Sequence, residues 1–170
     1  MDLKAFIRNI PDFPTKGIIF RDVTPLLRNP AAFQRAIDEM TRTMHGLNFD
    51  LIVSPEARGF IFGATLAYRL GKGFVPVRKP GKLPYETVSV EYALEYGSAQ
   101  LHMHSDAIQN GQSVIIVDDV LATGGTASAI ADLVKSVGGK VVGMCFLIEL
   151  TYLNPREKLR NYDVRSVLTY

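Results

Sequence analysis

With 170 residues, 47% apolar and 21% charged, the chain has the composition of one ordinary globular domain and too little apolar material for a second independent core. Nineteen Lys and Arg against seventeen Asp and Glu leave a net charge of +2, which excludes a global basic field suited to nucleic acid or an anionic membrane, so any anion site must be local. A single cysteine, Cys145, excludes an intrachain disulfide, the start MDLKAFIRNIPDFP lacks a signal-like apolar run, and nothing approaches the roughly 18 apolar residues of a membrane span, so a cytoplasmic protein is expected.

In chain order, residues 3–9 (LKAFIRN) read as a short amphipathic helix. Pro11, Pro14 and Gly17 then break the chain before Ile18, Ile19 and Phe20, and this stretch, about 1–28, reads as an appendage. Asn29 and Pro30 make an N-cap and first-turn pair, Phe33, Ile37, Met40 and Met44 recur at helical spacing, and Gly46 supplies a stop. DLIVS (50–54), a helix over 59–71 ending at Gly71, and GFVPV (73–77) form a predicted βαβ unit. The segment RKPGKLPYE (78–86) is rich in Pro, Gly and cations, which predicts a mobile loop. Period-two alternation through Val88, Val90, Tyr92 and Leu94, and again through Ala99, Leu101 and Met103, predicts an antiparallel hairpin turning at Glu95, Tyr96 and Gly97. A second βαβ unit follows as SVIIVDD (113–119), a helix within 124–139 closed by Gly138 and Gly139, and KVVGMCFLI (140–148). Near-continuously apolar strands joined by helices imply an α/β fold, with a mainly parallel sheet covered on both faces and residues 1–170 as one domain.

The chemistry concentrates in VIIVDDVLATGGT, Val114 to Thr126. A buried strand delivers two carboxylates, a short turn follows, and glycines open a helix. Ligands of open α/β sheets sit at the carboxyl ends of strands, and a helix N-terminus offers unpaired N–H groups and a positive dipole end to an anion. Gly124 and Gly125 permit close backbone approach, Thr123 and Thr126 add hydroxyls, and Asp118 and Asp119 can accept from a sugar diol or help hold a metal ion. A sugar phosphate suits the layout. No GxxxxGK[ST] and no GxGxxG follows a predicted strand, so P-loop and dinucleotide sites are unsupported, and GxSxG and HExxH are also absent. His102 and His104 share one strand face, but no third ligand stands at metal-site spacing.

The segment resembles the phosphoribosyl pyrophosphate (PRPP) motif of type I phosphoribosyltransferases. PDFPTKGIIFRDVTPLL (11–27), EARGF (56–60), RKPGKLP (78–84) and EYALEYG (91–97) resemble, in the same order, the adenine-specific members of that family, so the likeness spans 11–126. It implies a Rossmann-like core with an N-terminal hood (about 1–28), a lid and antiparallel hairpin flap (about 78–104), and transfer of the 5-phosphoribosyl group from PRPP to adenine, giving AMP and pyrophosphate in purine salvage, with Mg²⁺ and a homodimer.

Residue by residue, the resemblance gives Ala122, Thr123, Gly124, Gly125 and Thr126 to the 5′-phosphate, and Asp118 and Asp119 to the ribose hydroxyls. Glu56, Ala57 and Arg58, with Arg78, Lys79 and Lys82, go to pyrophosphate, and Arg58 and Glu95 are the catalytic pair. Glu95 would hydrogen-bond the purine near N7. Ile19, Phe20 and Arg21 would hold adenine from the hood, with Leu121 and Ala122 opposite. Mg²⁺ would be held mainly by PRPP and water, with no protein cage. A cis peptide between Glu56 and Ala57 is implied too. Two positions depart from the family pattern: Pro55 precedes Glu56 and removes an N–H, and Pro80 stands where relatives often carry a cation. The competing readings are a PRPP-binding regulator, which would need an added DNA-binding module or basic face, and a transferase for another base such as xanthine, hypoxanthine or orotate.

Overall fold

The computed structural model describes residues 1–94 and 97–170. Its centre is a five-stranded, all-parallel sheet built from β3 (Leu51–Pro55), β4 (Gly73–Val77), β7 (Ser113–Leu121), β8 (Lys140–Glu149) and β9 (Val164–Thr169), in the order β4-β3-β7-β8-β9. Between β3 and β7 the chain reverses its direction of travel across the sheet, creating the switch point at which such folds bind ligands. The β3–β7 pairing runs only from Leu51 opposite Val114 to Val53 opposite Ile116, so the two strands part before their carboxyl ends.

Two apolar layers cover the sheet, and β7 feeds both. Ile115 and Val117 face one layer with α2 (Pro30–Thr43) and α3 (Arg58–Leu70), whereas Val114 and Ile116 face the other with α4 (Gly125–Ser136). Period-two alternation inside a continuously apolar strand is what lets one strand serve two cores. The helices form where predicted: Asn29 caps α2 through its side chain, 3.0 Å from the Ala32 N–H, and Gly71 ends α3 with φ +64°.

The hairpin of β5 (Thr87–Ala93) and β6 (Ser98–His104) is antiparallel, as the alternation predicts, and buries Leu101 and Met103 in the α4 layer. The loop before it is tied to β6 at both ends. Arg78 and His102 exchange main-chain hydrogen bonds of 2.9 and 2.7 Å, and the Ser105 N–H donates to Glu86 at 3.0 Å.

The expected helix over 3–9 does not form. A 3₁₀ turn, Leu3–Phe6, is followed by β1 (Arg8–Pro11), which pairs antiparallel with β2 (Ile19–Asp22). Pairing with a strand beyond the Pro-Gly break outweighs the local helical pattern. Leu3, Ile7, Val23 and Leu26 nevertheless join the α2–α3 core, so the hood is anchored by apolar burial. A short helix, α1 (Thr24–Arg28), two 3₁₀ turns, Thr151–Leu153 and Pro155–Glu157, and β9 complete the elements beyond those predicted. No helix among the described residues is long and apolar enough to cross a membrane.

Candidate active site

From Pro55 the chain turns through Glu56 and Ala57, joined by a cis peptide, straight into α3 at Arg58. The Glu56 carboxylate accepts from the Lys79 N–H at 2.9 Å and from Arg78 Nε at 3.2 Å. The Lys79 amide and the Arg78 charge hold it below the usual carboxylate range. Glu56 therefore fastens the following loop to the turn, and it occupies the Arg78 guanidinium. Arg58 faces the opposite way, with Nε 2.8 Å from Asp119 Oδ2 and the guanidinium 4.8 Å from the centroid of the Phe20 ring. It thus bridges turn, acid pair and hood. Gly59 permits this crowding, because a Cβ there would stand 2.8 Å from Asp118 Oδ1.

At the end of β7 the Asp119 N–H donates to Asp118 Oδ1 at 2.8 Å. Desolvation and the adjacent Asp119 carboxylate push Asp118 well above the usual range. Asp119 is 3% exposed, and its Oδ2, although close to Arg58, is badly angled for a hydrogen bond and has no such partner among the described residues. A buried acceptor of this kind suits a hydroxyl donor. Gly124, at φ +85°, then reverses the chain into α4. Neither α3 nor α4 has an acidic residue in its first turn, so both present unopposed N–H groups and positive dipole ends at the head of the sheet.

Three spaces open here. A cleft of about 330 Å³ lies over the Glu56–Arg58 turn and includes Lys79 and Tyr92; a niche of about 80 Å³ is enclosed by the Leu121–Thr126 loop; a cavity of about 660 Å³ runs beneath Ile19, Phe20 and Arg21. Asp118 and Thr126 line all three. The fold therefore brings together residues from the hood, the β3 turn and the β7 loop, which are remote in sequence.

Some candidates lie elsewhere. Arg78 and Lys82 do not line the cleft, and Leu121, 2% exposed, points into the α4 core and the niche while Val120 takes the wall of the large cavity. Glu95 lies outside the described residues. The structure adds Tyr92, whose hydroxyl is 3.4 Å from Thr126 Oγ1, and also Leu150, Tyr152 and Leu153, which wall the large cavity opposite the hood. Tyr92 belongs to the hairpin alternation, so its sequence signal was packing; residues 150–153 follow a strand end, the one cue that could have found them.

Comparison with known proteins agrees with this architecture. The model of the phosphoribosyl transferase domain matches residues 22–169. An adenine phosphoribosyltransferase of Pseudothermotoga lettingae is 70% identical over 170 residues, covering 100% of both chains. That of Thermotoga maritima is 65% identical over 170 residues, covering 100% of this chain and 98% of the other. The crystal structure of the Thermoanaerobacter pseudethanolicus adenine phosphoribosyltransferase superposes with a TM-score of 0.97 at 58% identity, over 99% of this chain and 98% of that one. The Saccharomyces cerevisiae enzyme, solved in complex with D-2,5-dideoxy-2,5-imino-altritol 1,6-bisphosphate and adenine, gives a TM-score of 0.91 at 44% identity, over 98% and 96%. On its sequence and its fold alike, the chain belongs to the phosphoribosyl transferase domain family.

Proposed function

We propose that this chain transfers the 5-phosphoribosyl group of PRPP to adenine, forming AMP and pyrophosphate in purine salvage. One observation carries the reading: a cation-bearing cleft, an N–H-lined niche and a larger, mostly apolar cavity share Asp118 and Thr126 as common walls. Those spaces suit a pyrophosphate, a 5′-phosphate and a purine, with the ribose at the junction.

The roles follow from this placement. The amides at the start of α4 and the hydroxyls of Thr123 and Thr126 hold the 5′-phosphate. Asp119, with its unpartnered Oδ2, and Asp118 accept from the ribose diol. Arg58 and Lys79 oppose the charge that grows on departing pyrophosphate while C1′ acquires oxocarbenium character. Arg58 also leaves its charge contact with Asp119 available for exchange, since that carboxylate gains hydroxyl donors when ribose is bound. Phe20 covers one face of adenine and Val120 and Ala122 the other. Glu95, by its resemblance alone, manages the proton of the purine ring.

Mg²⁺ fits as a companion of the substrate. No cluster of three or more His, Cys, Asp or Glu that could hold a metal occurs among the described residues, and the donors at hand are Asp118 and Asp119 beside the diol position. When bound, the ion would neutralise pyrophosphate charge, and Asp118 and Asp119 would help hold it alongside PRPP oxygens and water. The protein is proposed to act as a cytoplasmic homodimer.

The decisive experiment supplies purified protein with PRPP, Mg²⁺ and equimolar adenine, hypoxanthine, guanine, xanthine and orotate, and separates the mononucleotides by chromatography. AMP with an equal amount of pyrophosphate is expected. Dominance of another mononucleotide would overturn the choice of base, and PRPP binding without turnover would overturn the enzyme reading in favour of a regulator.

A further inference from the structure

Tyr170 takes no part in the chemistry above, but both walls of the 660 Å³ cavity lean on it. Its ring lies 4.0 Å from the Arg21 guanidinium carbon and 4.8 Å from Lys4 Nζ, measured to the ring centroid. Arg21 adjoins Phe20 on β2. Its guanidinium donates to Asn9 Oδ1, while Nε is buried with no hydrogen-bond partner among the described residues. Arg21 is half-buried, and a buried Nε left without an acceptor is costly; an aromatic face within about 6 Å of the guanidinium is the compensation this site offers.

The backbone of the same residue holds the opposite wall. A main-chain oxygen of Tyr170 accepts from the Thr151 N–H at 2.9 Å and from Thr151 Oγ1 at 2.6 Å, and its N–H donates to the Glu149 carbonyl at 2.9 Å. Thr151 begins the turn that carries Tyr152 and Leu153 into the cavity. Hood and turn are distant in sequence, and Tyr170 touches both.

We propose that Tyr170 is a positioning residue for the base: its ring sets the hood through Arg21, its main chain sets the Thr151–Leu153 wall, and the two together fix the width of the adenine site. This rests on the proposed transfer to adenine. The ring face carries the effect on the hood, and among the described residues the phenol hydroxyl makes no hydrogen bond that contributes.

The test varies adenine and PRPP separately in steady-state assays of the full chain. Tyr170→Phe keeps the face and is expected to retain KM for adenine within about twofold. Tyr170→Ala keeps the main-chain bonds and loses the face, and KM for adenine is expected to rise about tenfold, the size of one partly desolvated cation–π contact, with kcat and KM for PRPP within about twofold. The proposal is overturned if KM for adenine is unchanged in Tyr170→Ala, if both KM values rise by the same factor, or if Tyr170→Phe fails as badly as Tyr170→Ala. Should Tyr170→Ala not fold, Tyr170→Leu, which keeps volume without the π face, is read by the same criteria. Wild-type protein that makes no AMP would count against the transfer reading; equilibrium titration of wild type and variants with adenine then decides the role of Tyr170, with equal affinity, or none, overturning it.

Discussion

Arg156→Ala isolates a device that lies behind the site. Glu149 ends β8, is 2% exposed, and is held by Arg156 through two hydrogen bonds, Nε to Oε1 at 2.7 Å and Nη2 to Oε2 at 2.8 Å, with Ser166 Oγ donating at 2.6 Å. Arg156 also donates to the Val164 carbonyl at 2.9 Å, locking the 150–157 segment to β9. Removing one partner of a buried pair costs about 3–5 kcal/mol. Here Ser166 remains and the Arg156 side chain is 55% exposed, so water reaches part of the vacated position and the lower end, about 3 kcal/mol, applies. For a chain of this size that is a fall in Tm of about 6–12 °C. The sign of the pH dependence is fixed as well. The Arg156 hydrogen bonds, followed by that of Ser166, depress the Glu149 pKa below its ordinary 4.5, so the contribution is complete above that value and is lost as pH falls through the folded value. Calorimetry of wild type and variant across pH should therefore show a wide gap at pH 7 that narrows below about 4.5. Glu149→Leu with Arg156→Met should recover most of the loss, short of about 1 kcal/mol for the stranded Ser166 hydroxyl. A fall in Tm under about 2 °C, or a double variant no better than the single, would refute the reasoning.

Two further outcomes follow from the same geometry. Gly124, at φ +85°, would place a Cβ 3.0 Å from the Pro155 carbonyl, whereas a Cβ on Gly125 meets nothing nearer than 3.7 Å. Gly124→Ala should thus cost about 1–2 kcal/mol in denaturant unfolding, while Gly125→Ala leaves stability unchanged; equal losses would contradict the geometry. Asp118→Asn should raise Tm at pH 7.5, because desolvation and Asp119 raise the folded pKa of Asp118 and its ionisation opposes folding. Stability is lost as pH rises from the ordinary value of 3.8 to the folded one, so the gain must vanish in acid; a gain that grew on acidification would exclude this cause.

The sheet and the niche were legible because their signals are local: apolar runs at 51–53 and 114–117, a stop at Gly71, two acids and two glycines in one turn. The hairpin was legible from alternation. What escaped is nonlocal. Residues 3–9 carry a helical pattern, but β1 exists because β2 returns to pair with it. The engagement of Arg78 by Glu56, and of Arg21 by Tyr170, cannot be read from spacing, since each depends on how remote strand ends converge. Leu121 illustrates a finer limit: a one-residue step along a strand exchanges core for cavity, and the pattern alone did not say that Val120 faces the large one.

Pro55 stands on β3 two residues beyond the last pairing with β7. The Glu56 N–H points to β4, where it donates to Val77 at 2.9 Å, so in an alternating strand the nitrogen of Pro55 points toward β7. Any other residue would aim a dangling donor into the gap between the parting strands, and that donor would have to be hydrated. Proline removes the donor, so the floor of the crevice sheds less tightly bound solvent when a charged substrate arrives.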